Sequence, residues 1–476
     1  MVHIMSGLSG MVAGPGHSFH LCSIEDGKMK ILKNLIIIIA FLPSVAHSQE
    51  KILTPGGFVR GGIFLSTGDY KHNINALFGD ASLNITLENK LNIKGYADLR
   101  ARTGQQFGEN STGFELKEAW GMYYNRWMGI SMGKKIVKWG KTDFFTPLSK
   151  FKPVDYSFRT PDREDSDLGN IVAELVVTPS SFFRFSFVSA PLWNPSILMT
   201  RPLEIPRYIS LELPWGLSSE NGFYSYGLRA DFLLRGFDAG IQWFHGPDPM
   251  PGLKLVSADL SDLMNLNIGI KGVPYIINSA GADFEGVVAG SVVRGALSWS
   301  KPVEGKTGNE EVPFPMLEWV AGFDLTPGDF RITAEYSGRR IFDFYESPYE
   351  PLIGRELDLS QLALLFQDPL FDPNEFLRLQ TEAFNRLYNN QLKEYYHSAG
   401  LRIEAETLYG RLIPSISGIY NFTSRDLVLL PALRYKPADG ITLTAGLEYY
   451  SGAKGGLYDV IDDFMNSVFV SLRIDF

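Results

Sequence analysis

The 476-residue chain contains one cysteine, Cys22. A disulfide framework is therefore excluded, and thiol chemistry has only that one position to use. Histidine is nearly as scarce. Beyond residue 48 only His72, His245 and His397 remain, in separate segments. No His-Glu-x-x-His, no paired Cys/His spacing and no Gly-x-Ser-x-Gly elbow occurs, so an enzyme has no candidate constellation and no metal or cofactor is expected. A basic excess is also missing. The formal charge is −9, and residues 1–48 carry +1 (Lys28, Lys30 and Lys33 against Glu25 and Asp26), so the remainder carries −10. Nucleic acid wants a basic face and is not an expected partner. Finally, no apolar run after residue 48 approaches the roughly 20 residues a membrane helix needs.

The one long apolar run lies before residue 48. In MKILKNLIIIIAFLPSVAHS (29–48), Lys30 and Lys33 precede an apolar stretch from Leu35 to Leu42 that Pro43 breaks. Ala46 and Ser48 then place small residues at −3 and −1 before Gln49. This is the pattern of a secretory signal peptide cut after Ser48, and the run is too short for a membrane anchor. Residues 1–28 have no export logic, and Met29 is the alternative start. Cys22 precedes the apolar run and falls in the segment expected to be removed.

What the rest of the chain has is alternation. Aromatics make up 13% and glycine 47 residues, yet mean hydropathy is −0.03. That balance suits a wall with one apolar and one wet face. In 441–449, Ile441, Leu443, Ala445, Leu447 and Tyr449 oppose Thr442, Thr444, Gly446 and Glu448. Residues 91–102 and 317–325 repeat the pattern, with Leu91, Ile93, Ala97 and Leu99 against Asn92, Lys94, Asp98 and Arg100, and Trp319, Ala321 and Phe323 against Glu318 and Asp324. A period of two places alternate residues on opposite faces of a strand. Short connections at 88–90, 125–126, 178–180, 235–236, 326–329 and 436–440 carry turn residues. Longer ones lie near 66–74, 103–113, 137–168, 190–221, 246–266, 300–315, 340–394 and 451–464. Short and long connections in alternation are the habit of outer-membrane barrels. The expected fold is all-β: a transmembrane antiparallel β-barrel over 49–476 with about eighteen strands, sixteen being the other division because 269–290 is hard to partition.

Two further features fit this plan. The chain ends on Val468, Val470, Leu472, Ile474 and Phe476 on one face, like the C-terminal signal that the barrel-assembly machinery reads through a terminal aromatic. Within 340–394, Asp372-Pro373-Asn374-Glu375 offers an N-cap, a proline at N1 and a glutamate at N3. Phe376, Leu379, Ala383, Leu387 and Asn390 follow at helical spacing to about Lys393, and 358–367 is a candidate for a shorter helix. An apolar helix in an outer loop either folds over or into the mouth, where Leu377 and Phe384 would plug it, or forms a surface cap.

On these residues the chain resembles the porin-like outer-membrane barrels, including the substrate-specific channels and the alginate-export-like barrels. Gly133-Lys134-Lys135, Trp139-Gly140 and Pro153-Val154-Asp155 look like the segment those barrels carry as G-R-Q-x-x-x-W-G and N-P-x-D. Here Lys-Lys replaces Arg-Gln and Lys152 precedes the proline. The resemblance implies a bacterial outer-membrane location, with membrane lipid and small polar or saccharide-like solutes as partners, and it transfers no catalytic residue. The third long loop, 137–168, is dense in both charges. Lys135, Lys138, Lys141, Asp143, Asp155, Arg159 and Arg163 are its candidate constriction residues. Inferred lumen positions add Arg100, Arg229, Arg294, Arg331, Glu335, Arg402, Glu404 and Glu448, with Glu318 and Arg434 on the same face. Opposed charges across a constriction would orient polar solutes. The alternative is a closed surface barrel for binding, adhesion or polysaccharide export. Oligomeric state is left open.

Overall fold

The computed structural model describes residues 52–68, 72–203, 205–218, 224–259, 267–306, 308–349, 351 and 371–476. The signal-peptide segment and the candidate helix 358–367 lie outside them. In chain order the strands begin with β1 (Ile52–Ser66), β2 (Ile74–Glu88), β3 (Ile93–Gln106), β4 (Glu109–Tyr124), β5 (Met128–Lys135), β6 (Asn170–Ser180) and β7 (Phe183–Ala190). They continue with β8 (Ile209–Glu212), β9 (Ser225–Leu234), β10 (Phe237–Pro247), β11 (Gly252–Asp259), β12 (Asn267–Val273), β13 (Ile276–Val288), β14 (Ser291–Pro302), β15 (Met316–Leu325) and β16 (Phe330–Ile341). Helix α1 (Pro373–Tyr388) follows, then β17 (Tyr395–Ala405), β18 (Leu412–Asn421), β19 (Asp426–Ala438), β20 (Ile441–Ser451), helix α2 (Leu457–Met465) and β21 (Ser467–Asp475).

Eighteen of these strands form one antiparallel sheet that closes on itself. Closure is made by β1 and β21, whose register runs from Phe58 opposite Asp475 to Ser66 opposite Ser467. No barrel strand is left as an edge, so backbone donors and acceptors are satisfied around the whole wall. The strand β8 is skipped between β7 and β9, and β11 and β12 between β10 and β13. These three make a small separate sheet in the order β11-β12-β8. The stretch that resisted division in the sequence is thus one strand outside the wall, β12, then a barrel strand, β13, ending at Ala289-Gly290.

Alternation gives the wall two faces. In β14, Leu297, Trp299 and Lys301 are exposed while Ala296, Ser298 and Ser300 are buried. In β21, Val468, Val470, Leu472 and Ile474 are each 40–48% exposed, and the intervening Ser467, Phe469 and Ser471 are buried. An apolar outward face of this extent is stable against lipid and not against water.

Turns at one end are 89–92, 125–127, 181–182, 235–236, 289–290, 326–329, 406–411 and 439–440. At the other end one connection differs from expectation. The segment 103–113 is not a long loop: β3 and β4 stay paired up to Phe107-Gly108, both at positive φ, in a two-residue hairpin. The connection 422–425 is also short. The seventh wall turn, 406–411, and the 289–290 turn carry no strong sequence signal. The expected 178–180 turn is displaced to 181–182, because β6 runs on to Ser180.

Helix α1 forms where its caps predict. The Asp372 carboxylate accepts the Asn374 and Glu375 amides, with Pro373 at the start. Its apolar face, Phe376 and Leu377, packs on Ile268 of β12 and on Ile209, Leu255 and Ile270 of the small sheet. Leu377 therefore belongs to the core of a cap at the loop end and does not plug the mouth.

Candidate functional site

The connection 136–169 leaves the wall after β5, crosses the lumen and returns to β6. Three sets of contacts hold it there. The first is apolar. Trp139 and Phe151 meet edge to face, as do Phe151 and Phe244 of β10. With Val172, Val188 and Ile277 from the wall they make a buried core inside the barrel. Wall side chains secure the loop backbone here: Asn170 donates to the Phe151 carbonyl and Gln242 to the Leu148 carbonyl, both at 2.7 Å.

The second set anchors the tip. Glu335 of β16 accepts the backbone amides of Asp143, Phe144 and Phe145 at 2.6, 2.9 and 3.2 Å. Three converging N–H groups neutralise a carboxylate as a nest of partial positive charge. Asp143 pairs with Arg294 of β14 at 3.0 Å, and Arg294 also bonds Asp324. The Phe144 ring lies against Gly400 of β17, where a Cβ would come within 2.6 Å of it, and Arg402 stacks over the same ring at 5.1 Å. Gly281 receives Leu148, and Gly227 receives Trp139 and Phe151.

The third set anchors the return. Asp165 contacts Arg60 of β1 and Arg100 of β3, each at 2.6 Å, and Thr160 at 2.8 Å. Burial raises the Asp165 carboxyl, and Arg60 and Arg100 more than offset this, holding it at about 2. Arg60 also pairs with Asp80 at 2.5 Å and Asp162 at 2.8 Å. Arg159 reaches the opposite neighbour, bonding Glu448 of β20, Ser467 at 3.0 Å and the Met465 carbonyl at 2.8 Å. Its guanidinium covers Phe64, part of a lumen cluster with Phe78 and Phe469.

The loop thus spans from β1, β3, β20 and β21 to β13–β17. The sequence-derived candidates divide accordingly. Lys138, Lys141, Asp143, Arg159, Arg100, Arg294, Glu335, Arg402 and Glu448 all meet the loop or belong to it. Lys138 pairs with Asp167 at 2.8 Å, Lys141 with Asp238 at 3.6 Å, and Lys135 with Glu174 of β6. Arg229 is tied into Asp231 and Asp283, each at 2.8 Å. Arg163 is exposed on the loop. Three candidates are not brought into these contacts. Asp155 turns inward on Ser157, accepting its amide and hydroxyl. Arg331 and Glu404 face each other across β16 and β17 at the turn end, far along the strands from Phe144. Sequence reasoning missed Arg60, Asp80, Lys117 of β4, which donates to the Asp165 carbonyl, and the receiving glycines. Arg60 had a signal in its alternation with Phe58 and Phe64. The glycines had none.

Two cavities flank the loop. One of 470 Å³ on the loop-end side is lined by Phe144, Lys150, Glu318, Arg339, Asn390 and Tyr458 among others. Glu318 lies between Arg339, at 2.5 Å, and Lys150, at 3.9 Å, and Arg339 donates to the Asn389 carbonyl after α1. The other, of 320 Å³, is lined by Lys138, Lys141, Glu174, Arg184, Arg229 and Asp231. Both are walled by charges of both signs.

No protein-family model and no curated protein matches the sequence. Solved structures do. OccAB2 of Acinetobacter baumannii is similar at 11% identity, over 89% of this chain and 98% of that one, with a TM-score of 0.51. OccAB1 of the same organism has 9% identity, coverage of 89% and 96%, and a TM-score of 0.49. Pseudomonas aeruginosa OccD3 (OpdP) has 10% identity, coverage of 89% and 91%, and a TM-score of 0.48. At such identity the likeness to OccAB2 establishes a shared porin-like barrel fold and carries no residue across.

Proposed function

We propose that this chain is an outer-membrane channel for small polar solutes, with the 136–169 loop as its selectivity constriction. The observation that carries the reading is the anchoring of one loop across the lumen at both ends, by charge at Arg60–Asp165 and Arg159–Glu448 and by backbone donors at Glu335. A surface loop has no use for such fastening. A constriction does, because selectivity needs charges held in fixed positions while solute passes. Eighteen strands enclose a lumen wide enough for a channel. The outward apolar face supports a membrane setting, and the shared fold supports the outer membrane.

Solute would pass from the 470 Å³ cavity over the loop, past Lys150, Glu318 and Arg339, to the chamber bounded by Lys138, Lys141 and Arg229. Paired charges along that route favour solutes that are dipolar or rich in hydroxyls and amides over bare ions of one sign. One observation favours the second reading, a closed barrel: the end of α1 lines the same outer cavity, as a lid would. Conductance of the purified protein in planar bilayers separates the two. Steady conductance, increased in Glu335→Ala by release of the loop tip, supports the channel. A folded but silent barrel in both forms overturns it.

A further inference from the structure

The outward face of β14–β17 carries a second charged feature, unrelated to the lumen. Trp299 of β14, Leu317 of β15, Arg340 of β16 and Tyr395 of β17 are successive register partners, forming one row across four strands. Trp299 and Tyr395, 40% and 42% exposed, place an aromatic at each end of this row, at the loop end of the wall. Aromatic belts mark the membrane–water interface. Lys301 continues the exposed face of Leu297 and Trp299 one step further toward the loops. Arg340 lies in the belt row itself, its guanidinium 5.1 Å from the Phe342 ring centre and 5.6 Å from that of Tyr395. Its only carboxylate neighbour among the described residues is Glu394, at 3.9 Å with both side chains nearly half exposed. Such a pair is weak in water. Lys301 makes no ion pair among the described residues, and Lys393, in the bend that leads into β17, is exposed. Two inter-strand spacings, about 10 Å, separate β14 from β16. Beside Lys301 opens a 680 Å³ cavity between the loops, walled also by Lys306, Arg378, Glu304, Asp343 and Tyr345.

In a chain with a net charge of −9, outward cations above an aromatic belt are unexpected as solvation alone. At that depth a cation meets headgroup phosphate, and basic positions there recognise anionic lipid. We infer that the loop-end rim of β14–β17 is a binding site for a phosphate-bearing lipid of the outer leaflet. Lys301 and Arg340 meet its phosphates, its acyl chains lie along Leu297, Trp299 and Leu317, and the polar part of the headgroup enters the 680 Å³ cavity. This rests on the membrane setting proposed above, not on conduction.

The test uses the purified protein in phosphatidylcholine nanodiscs, with diphosphorylated lipid A and its dephosphorylated form as probes and native mass spectrometry as readout. The wild type should retain the phosphorylated form selectively. Lys301→Ala with Arg340→Ala should weaken that retention by roughly thirtyfold, at about 1 kcal/mol per cation near a charged membrane surface. Lys301→Arg alone should preserve it, and single-channel conductance should be unchanged in all. Equal retention of both lipids by the wild type overturns the site, whether or not the double variant folds. So does undiminished retention by a double variant that keeps folded-barrel gel mobility. A silent barrel that still selects the phosphorylated lipid would overturn the channel and leave this site standing.

Discussion

Glu335 is held by backbone rather than by a partner charge, and this sets how far its loss would reach. Three amides of the loop tip point at one carboxylate, that of Phe144 buried, so removing it strands three donors at once. Hydrogen bonds to a charged group contribute about 1.5–3 kcal/mol each, which makes this residue the main determinant of tip position. Gly400 bears on the same contact from the other side. Gly400→Leu puts a side chain where the Phe144 ring now rests and should push the tip off the β16–β17 wall. Larger single-channel conductance than wild type, with the folded gel mobility kept, is the expected result. Unchanged conductance would mean that the tip does not bound the conduit. Asp165 sets the pH response. Its folded pKa of about 2 lies below the ordinary value near 3.9, so the pairing with Arg60 and Arg100 is fully present above about pH 4 and is lost as pH falls through 2. The linkage amounts to about 2–3 kcal/mol. Conductance should therefore be flat from neutral pH to about pH 4 and become unsteady only near pH 2–3. Asp165→Asn should show that unsteadiness at neutral pH.

At the scale of elements, legibility followed locality. Strand alternation in 441–449 and 317–325 and the Asp372-Pro373 cap are decided within a few residues, and each appears where the sequence indicated. The cap makes a quantitative prediction: Asp372→Ala should cost α1 about 1 kcal/mol. Hydrogen exchange should detect this as faster exchange of the Asn374 and Glu375 amides, with the barrel strands unaffected. What was not legible is long-range. The inward fold of 136–169 depends on Asp143 meeting Glu335, 192 residues away, and on Arg159 meeting Glu448, 289 away. Charge density alone could mark the loop but not its anchors. The 103–113 segment misled for a different reason. Thr103, Gln105, Asn110 and Thr112 read as loop residues, yet Thr103 pairs with Thr112 and Gln105 with Asn110 in a continuing ladder. That hairpin extends beyond the apolar band, so its strands have lost the polarity contrast while keeping the backbone pairing.

For the molecule as a whole, the two faces of the wall answer to two different solvents, and the inside is not uniformly polar. Val172, Val188, Phe244 and Ile277 face the lumen because a loop covers them, which is why lumen residues could be listed from charge but the lumen core could not. The outward face is the stricter of the two, since nothing but lipid covers it. Ala445 and Thr444 sit side by side in the middle of β20, with Ala445 level with the exposed Leu433 and Val470 and Thr444 on the opposite face, level with Ser471. An arginine at the bilayer midplane costs about 2–4 kcal/mol on the lipid side of a barrel, whereas lumen substitutions mainly alter selectivity. Ala445→Arg should therefore lower stability in lipid vesicles by that amount in urea titrations, and Thr444→Arg should leave it nearly unchanged while shifting ion selectivity toward anions. In a barrel built for water the order would reverse, because position 445 would be the solvated one and position 444 the interior one. The pair of variants thus tests the membrane setting separately from whether anything passes through the lumen.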